Sequence, residues 1–237
     1  MKGKEIFLSE PTDTPDTSGE RNKTTAHRDS SALPQWAMEL TRPLISFVSR
    51  TLWGVRHEGV EHVPRGGGSG LIIAANHQTY IDPFWVGVAV RRPLRYLAWS
   101  EAFKWPALGR PMEWMGAWPI ELGKSDPGAY KRSLQWLRDG GAVMIFPEGG
   151  RCNPDGAPMK FKHGAARLAL EADVPVLPVT IRGGHAVWPR GQRLPRTGRV
   201  EIVFHPARKF ASLPGEDARQ CARRETEELS ALIASAL

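Results

Sequence analysis

His77 and Asp82, five residues apart, are side chains whose types and spacing could do chemistry together. They lie in LIIAANHQTYIDPFWV, residues 71–86. Leu71 to Ala75 reads as an apolar strand, Asn76 to Tyr80 as a polar loop, and Asp82-Pro83 as the opening of an apolar helix. In open α/β sheets, sites form in the crevice beyond the carboxyl ends of strands, and His77 falls there. A carboxylate across a tight loop can bond one imidazole nitrogen, fix the tautomer and leave the other nitrogen as a base. With no serine or cysteine partner, such a histidine would activate a hydroxyl belonging to the substrate. Two plainer readings stand beside this one. His77 could be a surface-loop histidine. Asp82 could cap the helix, with Pro83 at its first position, either alone or as well as orienting His77.

A second segment, AVMIFPEGGRCNPDG (residues 142–156), repeats the plan. An apolar strand ends and a Pro-Glu-Gly-Gly-Arg turn follows. Gly149 and Gly150 allow a sharp turn that exposes backbone N–H groups. Arg151 is a planar donor suited to phosphate. By itself this could be an ordinary hydrophilic turn; its position after a second strand links it to His77.

The elements that must position these residues follow from the alternation of short apolar runs with helical patterns. Strands are expected at Val55–Val60, Leu71–Ala75, Leu94–Ala98, Ala117–Glu121, Ala142–Phe146, Val176–Ile181 and Val200–His205. Helices are expected at Pro83–Val90, Pro127–Arg138, Lys162–Glu171 and Glu216–Ala236. That alternation predicts an α/β fold, with a mostly parallel or mixed central sheet flanked by helices. Ahead of it, Leu33, Trp36, Leu40, Leu44, Phe47, Val48 and Leu52 recur at helical spacing. Pro43 interrupts them, so one kinked helix or two short ones are expected. This apolar stripe either packs on the domain or lies on lipid. Residues 1–31, rich in Ser, Thr, Asp, Lys and Pro, read as a disordered leader. The division is therefore a leader (1–31), an amphipathic helical segment (32–54) and the main domain (55–237).

Several other readings fall away. Gly123-Lys124-Ser125 lacks the earlier glycine of a phosphate-binding loop, because Trp118 occupies that position. The glycines at 66–70 precede a strand instead of following one. There is no Gly-x-Ser-x-Gly. His57 and His62 read as solvated histidines, without the further ligands a zinc site needs. Two cysteines, Cys152 and Cys221, exclude a disulfide scaffold and suit a reducing compartment.

Taken together, the two segments resemble the glycerolipid acyltransferase family, the 1-acyl-glycerol-3-phosphate acyltransferases and their relatives. The family's NHxxxxD motif stands here as Asn76-His77 through Asp82. Its FPEG-[Thr/Ser]-R motif is matched by Phe146, Pro147, Glu148, Gly149 and Arg151. Its apolar V-P-x-x-P-V motif is matched by Val174 to Val179, and Phe161 to Ala165 is similar to the lysine-containing helix start between them. The resemblance implies an acyltransferase-like fold and transfer of a fatty acyl group from acyl-CoA or acyl-carrier protein to a lysophospholipid hydroxyl. His77 would be the base and Asp82 its orienter. Glu148, Gly149, Arg151 and Lys124 would bind the acceptor, and Pro178 would belong to the acyl-donor site or its pocket. No bound cofactor or metal is implied. Two positions depart from the pattern. Gly150 replaces a hydroxyl residue, and Leu122 stands where a basic residue often grips the acceptor phosphate, a role Lys124 could take over. The acceptor implied is 1-acyl-glycerol-3-phosphate, giving phosphatidate; another lyso-lipid or an amino-acid lipid is the alternative.

Charge and aromatic content bear on partners. The net charge is +7, and residues 32–207 carry 22 basic against 14 acidic side chains, so the positive field belongs to the domain body. Arg182, Arg190, Arg193, Arg196 and Arg199 fall in a stretch without Asp or Glu, with Trp188 among them. Nine Trp against three Tyr also suit a surface that is apolar on one side and wet on the other. No stretch has the roughly 20 apolar residues of a membrane span. The expectation is peripheral binding to an anionic membrane surface on the cytoplasmic face. A non-enzymatic basic lipid- or nucleic-acid-binding domain is the competing class. The sequence lacks a recognition motif for nucleic acid, so no nucleic-acid partner is expected.

Overall fold

A computed structural model describes residues 32–66, 68–105, 109–121 and 126–237. The leader expected at 1–31, and both Leu122 and Lys124, lie outside the described residues. In chain order the elements are α1 (Gln35–Trp53), β1 (Arg56–Glu58), β2 (Leu71–Ala75), α2 (Asp82–Gly87), β3 (Leu94–Trp99), α3 (Gly109–Trp114), β4 (Ala117–Ile120), α4 (Pro127–Arg138), β5 (Ala142–Ile145), α5 (Gly164–Ala172), β6 (Val176–Arg182), α6 (Gly184–Val187), β7 (Glu201–Phe204) and α7 (Ala218–Ser235).

All seven expected strands are present and form one sheet in the order β1-β7-β6-β2-β5-β3-β4. β6, β2, β5, β3 and β4 run parallel, and β7 pairs antiparallel with β6, so the sheet is mixed. β2 and β5 are apolar at every position because both sheet faces are covered. Leu71, Ile73 and Ala75 of β2 pack toward Trp85 and Val86 of α2 on one face. Ile72 and Ala74 pack with Leu137 of α4, Ala165 of α5 and Leu229 of α7 on the other. This alternation is the period-2 geometry of a strand.

The chain leaves β2 by way of α2 on one face and leaves its neighbour β5 by way of α5 on the opposite face. Loops from two adjacent strands therefore meet beyond the same edge, the switch point at which α/β sheets build sites. The helices missed in the sequence, α3 and α6, have six and four residues, too short for a 3.6-residue period to show.

α1 is a single helix that contains Pro43. It docks on the domain by its more polar side. Ser49 is buried, and the Arg42 guanidinium donates to the carbonyls of Gly87 and Val88 at 2.7 and 2.9 Å, satisfying the end of α2. Trp53 packs edge-on against Trp85. The apolar stripe faces outward instead: Trp36, Leu40, Leu44 and Phe47 are each 65–71% exposed. Among the described residues no helix is long and apolar enough to cross a membrane.

His57 and His62 are half-buried and bonded to the backbone instead of being left to solvent. His57 Nε2 lies 2.8 Å from the Trp85 carbonyl and His62 Nδ1 2.8 Å from that of Phe204, so each ring donates to the backbone and ties β1 and its following turn to the sheet. Both carbonyls belong to residues distant in sequence, which is why local composition did not reveal the bonds.

Candidate active site

His77 stands two residues beyond β2, and its backbone is gripped on both sides by the turn that follows β5. Its N–H donates to Glu148 Oε1 at 2.7 Å, and its carbonyl accepts from Cys152 N at 2.6 Å. Asn76 fastens the same loop to β6, with its side-chain amide exchanging bonds of 2.9 and 2.7 Å with the backbone of Ile181. The imidazole stacks on Phe146, 4.0 Å between centroids and 20° off parallel. These contacts fix the ring in position and in plane. Its side chain is 17% exposed, and no partner occupies Nε2 among the described residues.

Asp82 holds the other nitrogen. Its Oδ2 accepts from His77 Nδ1 at 2.9 Å, Gln78 N at 2.6 Å and Thr79 N at 2.8 Å, and Oδ1 accepts from the Thr79 hydroxyl at 2.6 Å. The carboxylate is fully buried, so these four donors replace its water shell. Helix capping is the part of the expectation that fails. Asp82 is the first helical residue, the capping position belongs to Ile81, and the carboxylate turns back into the loop that precedes it. The sequence Asp-Pro fits a cap equally well; only the loop's path, which aims two backbone N–H groups at Asp82, decides against it. With Nδ1 donating to a carboxylate, the neutral ring presents Nε2 as its free lone pair.

Glu148 is 1% exposed, and both of its oxygens are taken by backbone N–H groups, His77 at Oε1 and Met159 at Oε2, each 2.7 Å. Burial pushes its carboxyl above the usual range, with the two N–H bonds pulling the other way. Geometrically Glu148 is a clamp between two loops. Gly149 has φ +69°, a left-handed conformation, and a side chain there would come within 2.5 Å of Lys162 Nζ. A Cβ at Gly150 would meet open space. Cys152 is buried and its thiol is raised to about 11, mainly by burial, so it stays protonated at neutral pH and is a poor nucleophile.

Arg151 lies over the face of Tyr80, its guanidinium carbon 3.9 Å from the ring centroid, with Nη2 donating to the Tyr80 hydroxyl at 3.2 Å. Its Nη1 is buried without a hydrogen-bond partner among the described residues. Arg190 rests against the backbone of the same turn, reaching the carbonyls of Arg151 and Cys152 at 3.5 and 3.4 Å. His77, Asp82, Glu148, Gly149 and Arg151 are therefore brought to one place. Pro178 is elsewhere: it is buried in the middle of β6, beside Ala74 of β2, four residues before the strand's end. Among the described residues, no three His, Cys, Asp or Glu side chains are grouped to hold a metal ion.

The sequence reading missed Phe146 as a ring platform, Asn76 as a strand-to-loop clasp, and the contact of Tyr80 with Arg151. Only the place of Phe146 as the first residue of the FPEG-type motif hinted at the first.

Fold and site together define an α/β protein with a carboxylate-held histidine beside an arginine-bearing turn, and among the described residues no nucleophile is hydrogen-bonded to that histidine's ring. The acyltransferase family matches residues 54–182, more than half of the chain, and the chain belongs to that family. It is 28% identical over 151 residues to a chloroplastic 1-acyl-sn-glycerol-3-phosphate acyltransferase of Arabidopsis thaliana, which covers 62% of this chain and 42% of that protein. It is 27% identical over 169 residues to the 1-acyl-sn-glycerol-3-phosphate acyltransferase of Bacillus subtilis, covering 69% and 80%. The chain thus spans less than half of the plastid relative and about four fifths of the bacterial one. The crystal structure of the 1-acyl-sn-glycerophosphate acyltransferase PlsC from Thermotoga maritima shares the fold, with a TM-score of 0.64, 24% identity, and coverage of 85% of this chain and 79% of that one.

Proposed function

We propose that the chain transfers a fatty acyl group from an acyl-CoA or acyl-carrier-protein thioester to the hydroxyl of a lysophospholipid, with 1-acyl-glycerol-3-phosphate as the acceptor and phosphatidate as the product. His77 Nε2 takes the acceptor's hydroxyl proton as its oxygen attacks the thioester carbonyl. The tetrahedral intermediate collapses with loss of the thiolate, which recovers the proton from His77. Asp82 stabilises the imidazolium between these steps. The thioester is already activated, so the residues present need only move one proton and hold two substrates. The observation that carries this reading is the 2.9 Å pair of His77 Nδ1 with a fully buried Asp82, leaving Nε2 as the free nitrogen. The names of the relatives support the acceptor, and Arg151 Nη1 is a buried donor suited to its phosphate. Leu122, in the position where family members often carry a base, supports a second reading in which the acceptor is another lyso-lipid or an amino-acid lipid.

The same proposal puts the chain at the cytoplasmic surface of an anionic membrane. Support comes from the outward stripe of α1 and from the loop after α6, where Arg193, Arg196 and Arg199 are exposed beside Leu194, itself 77% exposed. Each such cation near an anionic surface contributes about 1 kcal/mol. Arg182 stands apart from this group, paired with Glu201 at 3.3 Å. The test of the activity is release of free CoA when the protein meets acyl-CoA and vesicles containing 1-acyl-glycerol-3-phosphate, a lysophosphatidylcholine or an acylated amino acid. Release with the first supports the proposal; release only with the others moves the acceptor to the second reading.

A further inference from the structure

Tyr80 occupies one of the unspecified positions between His77 and Asp82, yet its ring meets three other side chains. The Arg151 guanidinium lies over its face at 3.9 Å. Trp105 and Trp188 meet it edge-on, with centroids at 5.6 and 5.4 Å and interplanar angles of 76° and 77°. Trp188 is fixed in turn, its Nε1 donating to the Gln192 carbonyl at 3.0 Å. Trp105 and Trp188, from two separate segments of chain, therefore converge on the edges of one ring, and Arg151 lies over its face.

The arginine has few other restraints. Its Nη2 reaches only the Tyr80 hydroxyl, at 3.2 Å, and its Nη1 is buried without a partner among the described residues. An arginine on a flexible stem that must meet an anion loses side-chain entropy on binding. A guanidinium already held against an aromatic face has lost much of it beforehand and keeps its N–H groups in one plane. The negative face of the ring also favours the cation.

We propose that Tyr80 is a positioning residue for the acceptor's phosphate: its π face, clamped by Trp105 and Trp188, holds Arg151 so that Nη1 is presented to the anion. This rests on the reading of Arg151 as the acceptor's phosphate ligand. A merely structural Tyr80 would require its bulk. The proposed role requires the electron density of its face. These requirements separate when ring shape is kept and the quadrupole is removed.

The experiment places phenylalanine and, by nonsense suppression, pentafluorophenylalanine in place of Tyr80, each in the wild-type and Arg151→Gln backgrounds. Kinetics are measured with 1-acyl-glycerol-3-phosphate and acyl-CoA. Both rings keep the volume of the native one. Tyr80→Phe loses the 3.2 Å bond that the charged guanidinium donates to the hydroxyl, and its acceptor KM is the reference for the fluorinated ring. The fluorinated ring should raise that KM about 5- to 30-fold, the range of a partly desolvated cation–π contact. Turnover number and acyl-CoA KM should be unchanged, and the two rings should behave alike once Arg151 is glutamine. Equal acceptor KM for both rings beside an intact Arg151 overturns the proposal. So does the same rise in the Arg151→Gln background, which would assign the effect to packing. If Arg151→Gln alone leaves the acceptor KM at the wild-type value, the phosphate reading of Arg151 itself falls; a raised KM for Arg151→Gln with no effect of fluorination removes only the role of Tyr80.

Discussion

Asp82 is the residue at which helix capping and loop organisation predict different magnitudes. Truncating a helix cap to alanine costs about 1 kcal/mol. The structure instead gives Asp82 four donors and no exposure. Asp82→Ala would leave the N–H groups of Gln78 and Thr79 without their acceptor in a buried loop, along with the Thr79 hydroxyl. Each of these three orphaned buried groups costs about 1–3 kcal/mol, so a total loss of about 3–9 kcal/mol is expected. Asp82→Asn can place its amide oxygen at the Oδ2 position and keep both backbone bonds. Those bonds lose their charge assistance, roughly half their strength, and a stability loss of about 1–3 kcal/mol follows. Asparagine also offers no negative charge to an imidazolium, so turnover should fall by at least about 100-fold in both variants. The assay is urea unfolding, reading midpoints and slopes, on the same preparations used for steady-state CoA release. A loss of about 1 kcal/mol or less in Asp82→Ala would reduce the residue to a cap. Wild-type turnover in Asp82→Asn would remove the orienting role.

Three further outcomes follow from the same geometry. Glu148→Gln sets an amide NH2 against one of two backbone donors, so it should lose about 1–3 kcal/mol of stability and lower turnover through the loosened His77 loop; a variant of wild-type stability with only a raised acceptor KM would return Glu148 to a substrate-binding role. His57 and His205 have pKa values lowered chiefly by burial, so below about pH 6.5 the unfolded chain takes up protons that the fold resists. Stability should therefore fall as pH drops from about 6.5 through the folded values. His57→Gln, whose amide can still donate to the Trp85 carbonyl, should show a shallower fall in melting temperature between pH 7.5 and 5.5, whereas an identical slope would assign the dependence to other groups. In vesicle co-sedimentation, wild type should bind anionic vesicles more than neutral ones and lose binding in high salt. Trp36→Ser with Phe47→Ser should weaken binding to both vesicle types, and Arg193→Gln with Arg196→Gln only to anionic ones; equal wild-type binding to the two vesicle types would contradict the electrostatic part.

The fold was legible because the strands at its centre are largely apolar on both faces. Runs such as Leu71 to Ala75 and Val176 to Ile181 have nowhere else to go than the middle of a covered sheet. The site was legible where chemistry and chain position coincide, as at His77 beyond β2 and at Glu148 to Arg151 beyond β5. Long-range pairings were not legible. His57 and His62 looked solvated because the carbonyls they bond, Trp85 and Phe204, are remote in sequence. Glu148 looked like a substrate ligand because nothing local shows that two backbone N–H groups consume its oxygens. The stripe of α1 was recognised as apolar, but a helical period gives only the existence of a face. Its outward direction is set by Arg42 and Ser49, which dock the opposite side.

The most direct measurement is single-turnover acyl transfer by His77→Ala, with its folding checked by thermal melting. His77 contributes only its ring stacking on Phe146 and one bond to Asp82 beyond its backbone, so the variant should fold. Loss of a general base typically costs about 100- to 10,000-fold. A folded His77→Ala protein whose transfer rate falls by that amount, with acceptor and donor still bound, is the predicted result. Retention of more than about a tenth of the wild-type rate would contradict it, because no other described side chain stands where it could take the hydroxyl proton with a buried carboxylate behind it.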